Sequence, residues 1–196
     1  MSDALIGELN TNNSVIQSAV NDPFKIAGDF TSFYEDESKQ YYNPEDDTWT
    51  AYPDEHAGGI ATLGPGLTGT LGGQEIVSGQ SYPSGLINEE FKGRMQTDYD
   101  RLNKGLGGRL SSMNPNQQAA LLSLIHNIGY DTFRFKGEGE NRTETNAFRA
   151  LNEGDYDTFI EEAFDPNVGF VRAGGEVLGG LQRRRGAERD LFMQEI

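Results

Sequence analysis

Two adjacent glycines, Gly58-Gly59, set between an aromatic arm and a short apolar one, do most to narrow what this chain can fold into. Glycine enters positive φ without a steric penalty, so a pair of them permits a tight reversal. The arm before them, Trp49 to Tyr52, is rich in strand formers. The arm after them, Ile60 to Leu63, alternates large and small side chains. The spacing predicts a hairpin that holds a carboxylate, Asp54, and a hydroxyl, Thr62, on either side of the turn, facing a cleft. Each has an ordinary structural use: Asp after Pro is common in turns and Thr in strands. Together they make a device for positioning water rather than a patch for a charged polymer.

Upstream, Asp22-Pro23 opens a helix, with Asp as cap and proline at the first helical position. Ile26, Ala27, Phe30, Phe33 and Tyr34 follow at helical spacing. Pro44 and the acidic run around it separate this helix from the hairpin. Residues 64 to 85 carry many glycines with Pro65 and Pro83, which predicts loops and a short third strand. From Leu86 the chain reads as helical. Leu86 to Leu106 places Phe91, Met95, Tyr99 and Leu102 on one stripe. Gln117 to Ile128 is apolar around most of its circumference and is expected at the centre. Gly137 to Asn141 is a polar loop, followed by short helices over Thr145 to Asn152 and Tyr156 to Phe164 and a last one over Leu181 to Met193. Residues 1 to 21 are polar and read as an arm or linker, leaving 22 to 196 as one domain. The expected fold class is α+β, mostly helical, with a small hairpin lobe near the N-terminus.

Composition removes several function classes. The formal charge of −15 argues against nucleic acid as a partner. A solvated acidic surface accounts for it more simply than a dedicated acidic site. With no cysteine there is no disulfide, thiolate metal site or thiol catalysis, and the compartment is left open. The two histidines, His56 and His126, show no metal-ligand spacing, and no metal or cofactor is expected. No apolar run reaches membrane-spanning length. The opening residues lack a basic region followed by an apolar one, so no secretory signal is expected.

Three segments in order resemble the phage-type lysozyme family, the muramidases and endolysins that cut bacterial cell wall. The first is Tyr52-Pro53-Asp54, Gly58-Gly59, then Thr62-Leu63-Gly64-Pro65-Gly66-Leu67-Thr68. The second, Gln117 to Gly129, is similar to the family's central helix. The third, Gly180-Leu181-Gln182-Arg183-Arg184-Arg185-Gly186-Ala187-Glu188, is similar to its C-terminal helix. Leu67 departs from the pattern, since the family usually has His after Gly-x-Gly. The resemblance implies a lysozyme-like fold and hydrolysis of the β-1,4 bond between N-acetylmuramic acid and N-acetylglucosamine in peptidoglycan. It implies no cofactor, Asp54 and Thr62 as the groups that place water, and His126 and Asn127 at sugar-contacting positions, of which Asn127 is the stronger, since a helix packing position suits His126 equally well. It makes the arginine-rich helix structural, in keeping with its interleaved acids, Glu188 and Asp190.

Glycoside hydrolysis also needs a protonated acid beside the leaving oxygen. In the resembling family that acid ends the first helix, seven residues before a tyrosine. Glu35 follows Tyr34 and precedes Tyr42 by seven, and is the preferred candidate. Burial at the flank of an apolar stripe would raise its pKa, as an acid catalyst requires. Glu37 projects nearer the middle of the Phe30–Phe33 stripe. Glu45 keeps the family's nine-residue gap to Asp54 but sits in an acidic, solvated loop. Choosing Glu35 implies an insertion of about ten residues, the distance from Glu35 to Glu45. Two rivals stay open: a lytic transglycosylase, which keeps the acid and dispenses with the Asp, and an idle lysozyme-fold protein of a phage particle. The expected setting is host cytoplasm before release to the wall, or a virion with its other proteins as partners.

Overall fold

Asp22 caps the first helix, α1 (Pro23–Tyr34), its carboxylate accepting the Phe24 N–H at 2.9 Å. The computed structural model describes residues 22–34, 36–55, 58–64, 66–173 and 175–194; the arm expected over residues 1–21 lies outside them. The chain divides into two compact units, one of residues Asp29–Thr97 and the other of the described residues of 1–28 and 98–196. Ala27 and Thr31, one turn apart, are the fully buried positions of α1. Phe33, expected on the buried stripe, is 68% exposed. At 100° per residue it falls on the side away from Ala27 and Thr31.

The smaller unit is built from short antiparallel strands. A three-stranded sheet runs in the order β1 (Tyr42–Asn43), β2 (Thr48–Thr50), β8 (Ser81–Pro83), and a second in the order β3 (Tyr52–Asp54), β4 (Ile60–Leu63), β5 (Leu67–Thr68). Between them in the chain lies the hairpin of β6 (Thr70–Leu71) and β7 (Gln74–Glu75). The expected first arm, Trp49 to Tyr52, is therefore divided. Trp49 pairs with Tyr42 and Tyr82, and only from Tyr52 onward does the chain pair with β4. Ala51 is the crossing point: its N–H donates to Gln80 O at 2.9 Å and its carbonyl accepts from Gly79 at 2.7 Å.

Ala51, Leu63, Leu67, Leu71, Ile76, Tyr82 and Ile87 form this unit's apolar cluster, with Trp49, Ala61 and Phe91 packed on it. Leu67 is fully buried opposite Leu63. That explains the departure from the family pattern, because the position is a packing position here. Burying such a leucine stabilises by about 2 kcal/mol, and an imidazole would need a partner there.

In the helical unit the centre is α3 (Pro115–Ile128), as its all-round apolar character predicts, with every residue from Gln118 to Ile125 buried. A reciprocal cap fixes its start: Asn114 Oδ1 accepts the Gln117 N–H at 2.8 Å, and Gln117 Oε1 accepts the Asn114 N–H at 3.1 Å. Packed around it are the C-terminal residues of α2 (Ser84–Gly105), α4 (Tyr130–Arg134), α5 (Asn146–Glu153), α6 (Tyr156–Phe164) and α7 (Gly179–Phe192). Phe133, Phe148, Phe159, Phe164 and Phe192 supply the bulk of this core. Their rings meet edge-on or tilted, as the ring quadrupole favours. The strand pairs β9 (Phe135–Lys136) with β10 (Thr143–Glu144), and β11 (Arg172–Ala173) with β12 (Glu176–Val177), are small ornaments. No described helix is long and apolar enough to cross a membrane.

Candidate active site

The β3–β4 hairpin forms as its glycines require. Gly58 and Gly59 take φ of 72° and 83°, and the Gly59 N–H returns to the Asp54 carbonyl at 2.7 Å, closing the turn. The register pairs Tyr52 with Thr62 and Asp54 with Ile60. Directly paired residues share a face of a sheet, and so do residues two apart on one strand. Asp54 and Thr62 are therefore diagonal neighbours on one face. Thr68 extends the row beyond Thr62, and the Tyr41 ring stacks on Tyr52 at 4.2 Å.

Thr62 is only 2% exposed, and its hydroxyl donates to the Ile60 carbonyl at 3.1 Å. With that hydrogen committed, the oxygen is left as an acceptor. Asp54 is half-buried, and a carboxylate is also an acceptor. A water held by both would give each a hydrogen and keep a lone pair for attack.

Of the three candidate acids, Glu35 lies outside the described residues. Glu37 falls in a 3-10 helix, Asp36–Tyr41, that follows α1. Glu45 is exposed in the turn from β1 to β2, where its N–H donates to Asn43 Oδ1 at 3.0 Å. Asn43 Nδ2 reaches Asp46 at 2.8 Å, and the Tyr42 hydroxyl donates to Asp47 at 3.0 Å. Glu45 is thus not a buried carboxyl.

His126 and Asn127 are half-buried at the C-terminal end of α3 in the helical unit. Beneath Asn127 lies a polar network where the sequence indicates only an ion-paired helix. Arg184, Arg185 and Glu188 of α7 are all buried, Arg185 and Glu188 completely. Arg185 Nη2 donates to Asn127 Oδ1 at 2.7 Å, and its Nε lies 3.0 Å from Glu188 Oε2, an ion pair by distance but not aligned as a hydrogen bond. Glu188 Oε1 accepts from Ser123 Oγ at 2.7 Å and from Arg184 Nε at 3.2 Å. Burial brings the Arg185 guanidinium down to about 10, against the pull of Glu188. Burial pushes the Glu188 carboxyl up, opposed first by Arg185 and then by Arg184. The sequence signal was the spacing, since Glu188 stands four residues after Arg184 and three after Arg185. Its depth could not be read, because i,i+4 pairs are far commoner on solvated faces.

The phage lysozyme family model matches residues 45–188. The chain belongs to the phage lysozyme family. Membership makes it a glycoside hydrolase of peptidoglycan. The matched segment contains Asp54, Thr62, His126 and Asn127; it begins at Glu45, so Glu35 and Glu37 precede it. The fold agrees with solved phage enzymes. The active form of P1 phage endolysin Lyz is similar at a TM-score of 0.57 and 19% identity, over 85% of this chain and 93% of that one. A mutant of P22 lysozyme is similar at 0.53 and 26% identity, over 85% of this chain and 96% of that one. No curated protein matches the sequence. The α+β class is that of these enzymes.

Proposed function

We propose that this lysozyme is a muramidase that hydrolyses the β-1,4 bond between N-acetylmuramic acid and N-acetylglucosamine, with Glu35 as proton donor and Asp54 and Thr62 holding the attacking water. The observation that carries the reading is the shared face of Asp54 and Thr62 on a family-matched hairpin, both as acceptors. The acid protonates the leaving oxygen, and a water that gives its proton to Asp54 attacks the anomeric carbon to complete the hydrolysis. The choice of Glu35 follows the spacing of the buried face of α1. Ala27 and Thr31 are its buried positions, and the next residue at that interval in the sequence is Glu35. Glu35 is preferred to Glu37, one of whose two stripe neighbours, Phe33, is exposed, and to Glu45, which lies in an exposed turn. Asn127 and His126 hold sugar. The enzyme acts as an endolysin released to the wall or as a lysozyme carried in a phage particle.

The deciding experiment is clearing of a cell-wall suspension by the purified chain, with the product ends read by mass spectrometry. Reducing muramic ends are expected. Ends of the 1,6-anhydro type would establish a lytic transglycosylase, and no cleavage at any salt or pH would leave an idle lysozyme fold.

A further inference from the structure

The helical unit carries a surface cavity of about 370 Å³, lined by Arg101, Lys104, Gly105, Tyr130 and Arg134, none of which the hydrolysis uses. Its polar lining is made of donors. Arg101 and Arg134 are guanidiniums, Lys104 is an ammonium, and none of the three can accept a hydrogen bond. Tyr130 is 6% exposed, and its hydroxyl oxygen accepts from Arg134 Nη1 at 3.0 Å. Its own hydrogen finds no acceptor among the described residues, which leaves it to donate into the cavity. Gly105 forms part of the wall because it has no side chain: a Cβ there would collide with the Tyr130 hydroxyl and press on Arg134 Nη1 at 3.4 Å.

A lining of donors selects a ligand made of acceptors, and cations select a negative one. The local charge then sets how negative. Arg101 is paired with Asp131 at 2.9 Å and Arg134 with Glu144 at 2.9 Å. No described carboxylate pairs with Lys104. Asp131 is shared with Arg142 at 3.1 Å, so the lining and its partners keep a small positive excess, in a chain of formal charge −15 that repels polyanions. A small excess on so acidic a chain matches a singly charged carboxylate better than a doubly charged phosphate.

We propose that this cavity is a carboxylate-binding site that takes a free carboxylate of the short peptides carried by peptidoglycan strands. The source of the carboxylate rests on the muramidase reading; the site's chemistry does not. Lys104 supplies the charge, the Tyr130 O–H and the unshared N–H groups of Arg101 supply direction, and Asp131 and Glu144 hold the two guanidiniums in place.

The test is an NMR titration of the full chain with N-acetyl-D-alanine, with its C-terminal amide and with inorganic phosphate. Saturable shifts at Gly105 and Tyr130 are expected with the acid and none with the amide. Lys104→Glu, on an exposed side chain and therefore safe for folding, should weaken the acid about tenfold or abolish it without lowering the melting temperature. Tyr130→Phe should weaken it less. Equal shifts with acid and amide, tighter binding of phosphate, or no response to Lys104→Glu would each overturn the site. Because binding is read without catalysis, the two readings fail separately. A chain that binds the acid and cuts no wall defeats the muramidase, and one that cuts wall and binds no acid defeats the site.

Discussion

Arg185 donates through Nη2 to Asn127 Oδ1 at 2.7 Å, and because a guanidinium only donates, this bond fixes which way round the Asn127 carboxamide stands. The amide nitrogen is left with two hydrogens to donate. Whatever Asn127 holds must accept, as the acetamido carbonyl of an N-acetyl sugar does. Asn127→Asp would give Arg185 a carboxylate in place of a carbonyl, so thermal stability should be held or raised, while KM for wall rises about tenfold from loss of the donors. Asn127→Leu should lower stability by about 1–3 kcal/mol, since it leaves Arg185 Nη2 buried without an acceptor. Melting curves and KM measured side by side check both. Unchanged KM in Asn127→Asp would remove Asn127 from the sugar site.

Glu35→Gln should abolish wall clearing while the melting temperature holds, because the change keeps volume and removes the proton. Glu45→Gln, in an exposed turn, should clear wall at the normal rate. Loss in Glu45→Gln or Glu37→Gln with retention in Glu35→Gln would move the acid to the residue affected.

Asp54→Asn should lose about a hundredfold or more in kcat, since an amide cannot take the proton of the attacking water. Thr62→Val keeps shape and deletes the acceptor, and should lose about tenfold. Full activity in Asp54→Asn, with anhydro ends in the products, would mean that water is not the nucleophile.

Acid should weaken the fold through Asp155. This residue caps α6, accepting the Thr158 N–H at 3.1 Å, and its hydrogen bonds to Thr158 hold its carboxyl below the ordinary 3.8. A depressed folded value contributes stability above the unfolded one and loses it as pH falls through the folded one. Below about pH 4 the wild type should therefore lose stability faster than Asp155→Asn, which caps without titrating. Parallel urea melts over that range would show it, and identical slopes would exclude the cap as an acid-labile group.

Much of the frame was legible because it depends on local rules. Gly58-Gly59 dictated the turn, and the apolar run from Gln117 to Ile128 the centre of the core. The strand ahead of the turn was misplaced by a few residues because Trp49 and Tyr52 are equally good strand formers. The switch of partners at Ala51 is made by backbone bonds to Gly79 and Gln80, which no local pattern encodes. Phe33 misled for a related reason: apolar character says that a residue can be buried, not that its face of the helix is covered. That Asp54 and Thr62 share a face was readable from the hairpin. The Arg185 bond to Asn127 joins residues 58 apart in sequence and could be known only from the fold.

Gly105 and Tyr130 carry a consequence for how this enzyme can diverge. The hydroxyl of one occupies the space that a side chain on the other would need. An alanine in place of Gly105 is therefore tolerable only in a descendant that has already given up the tyrosine, and a tyrosine can return to its place only where the glycine is still bare. The two positions are open to change in one order and closed in the other. Lineages that cross this step should acquire Tyr130→Phe before Gly105→Ala and not the reverse.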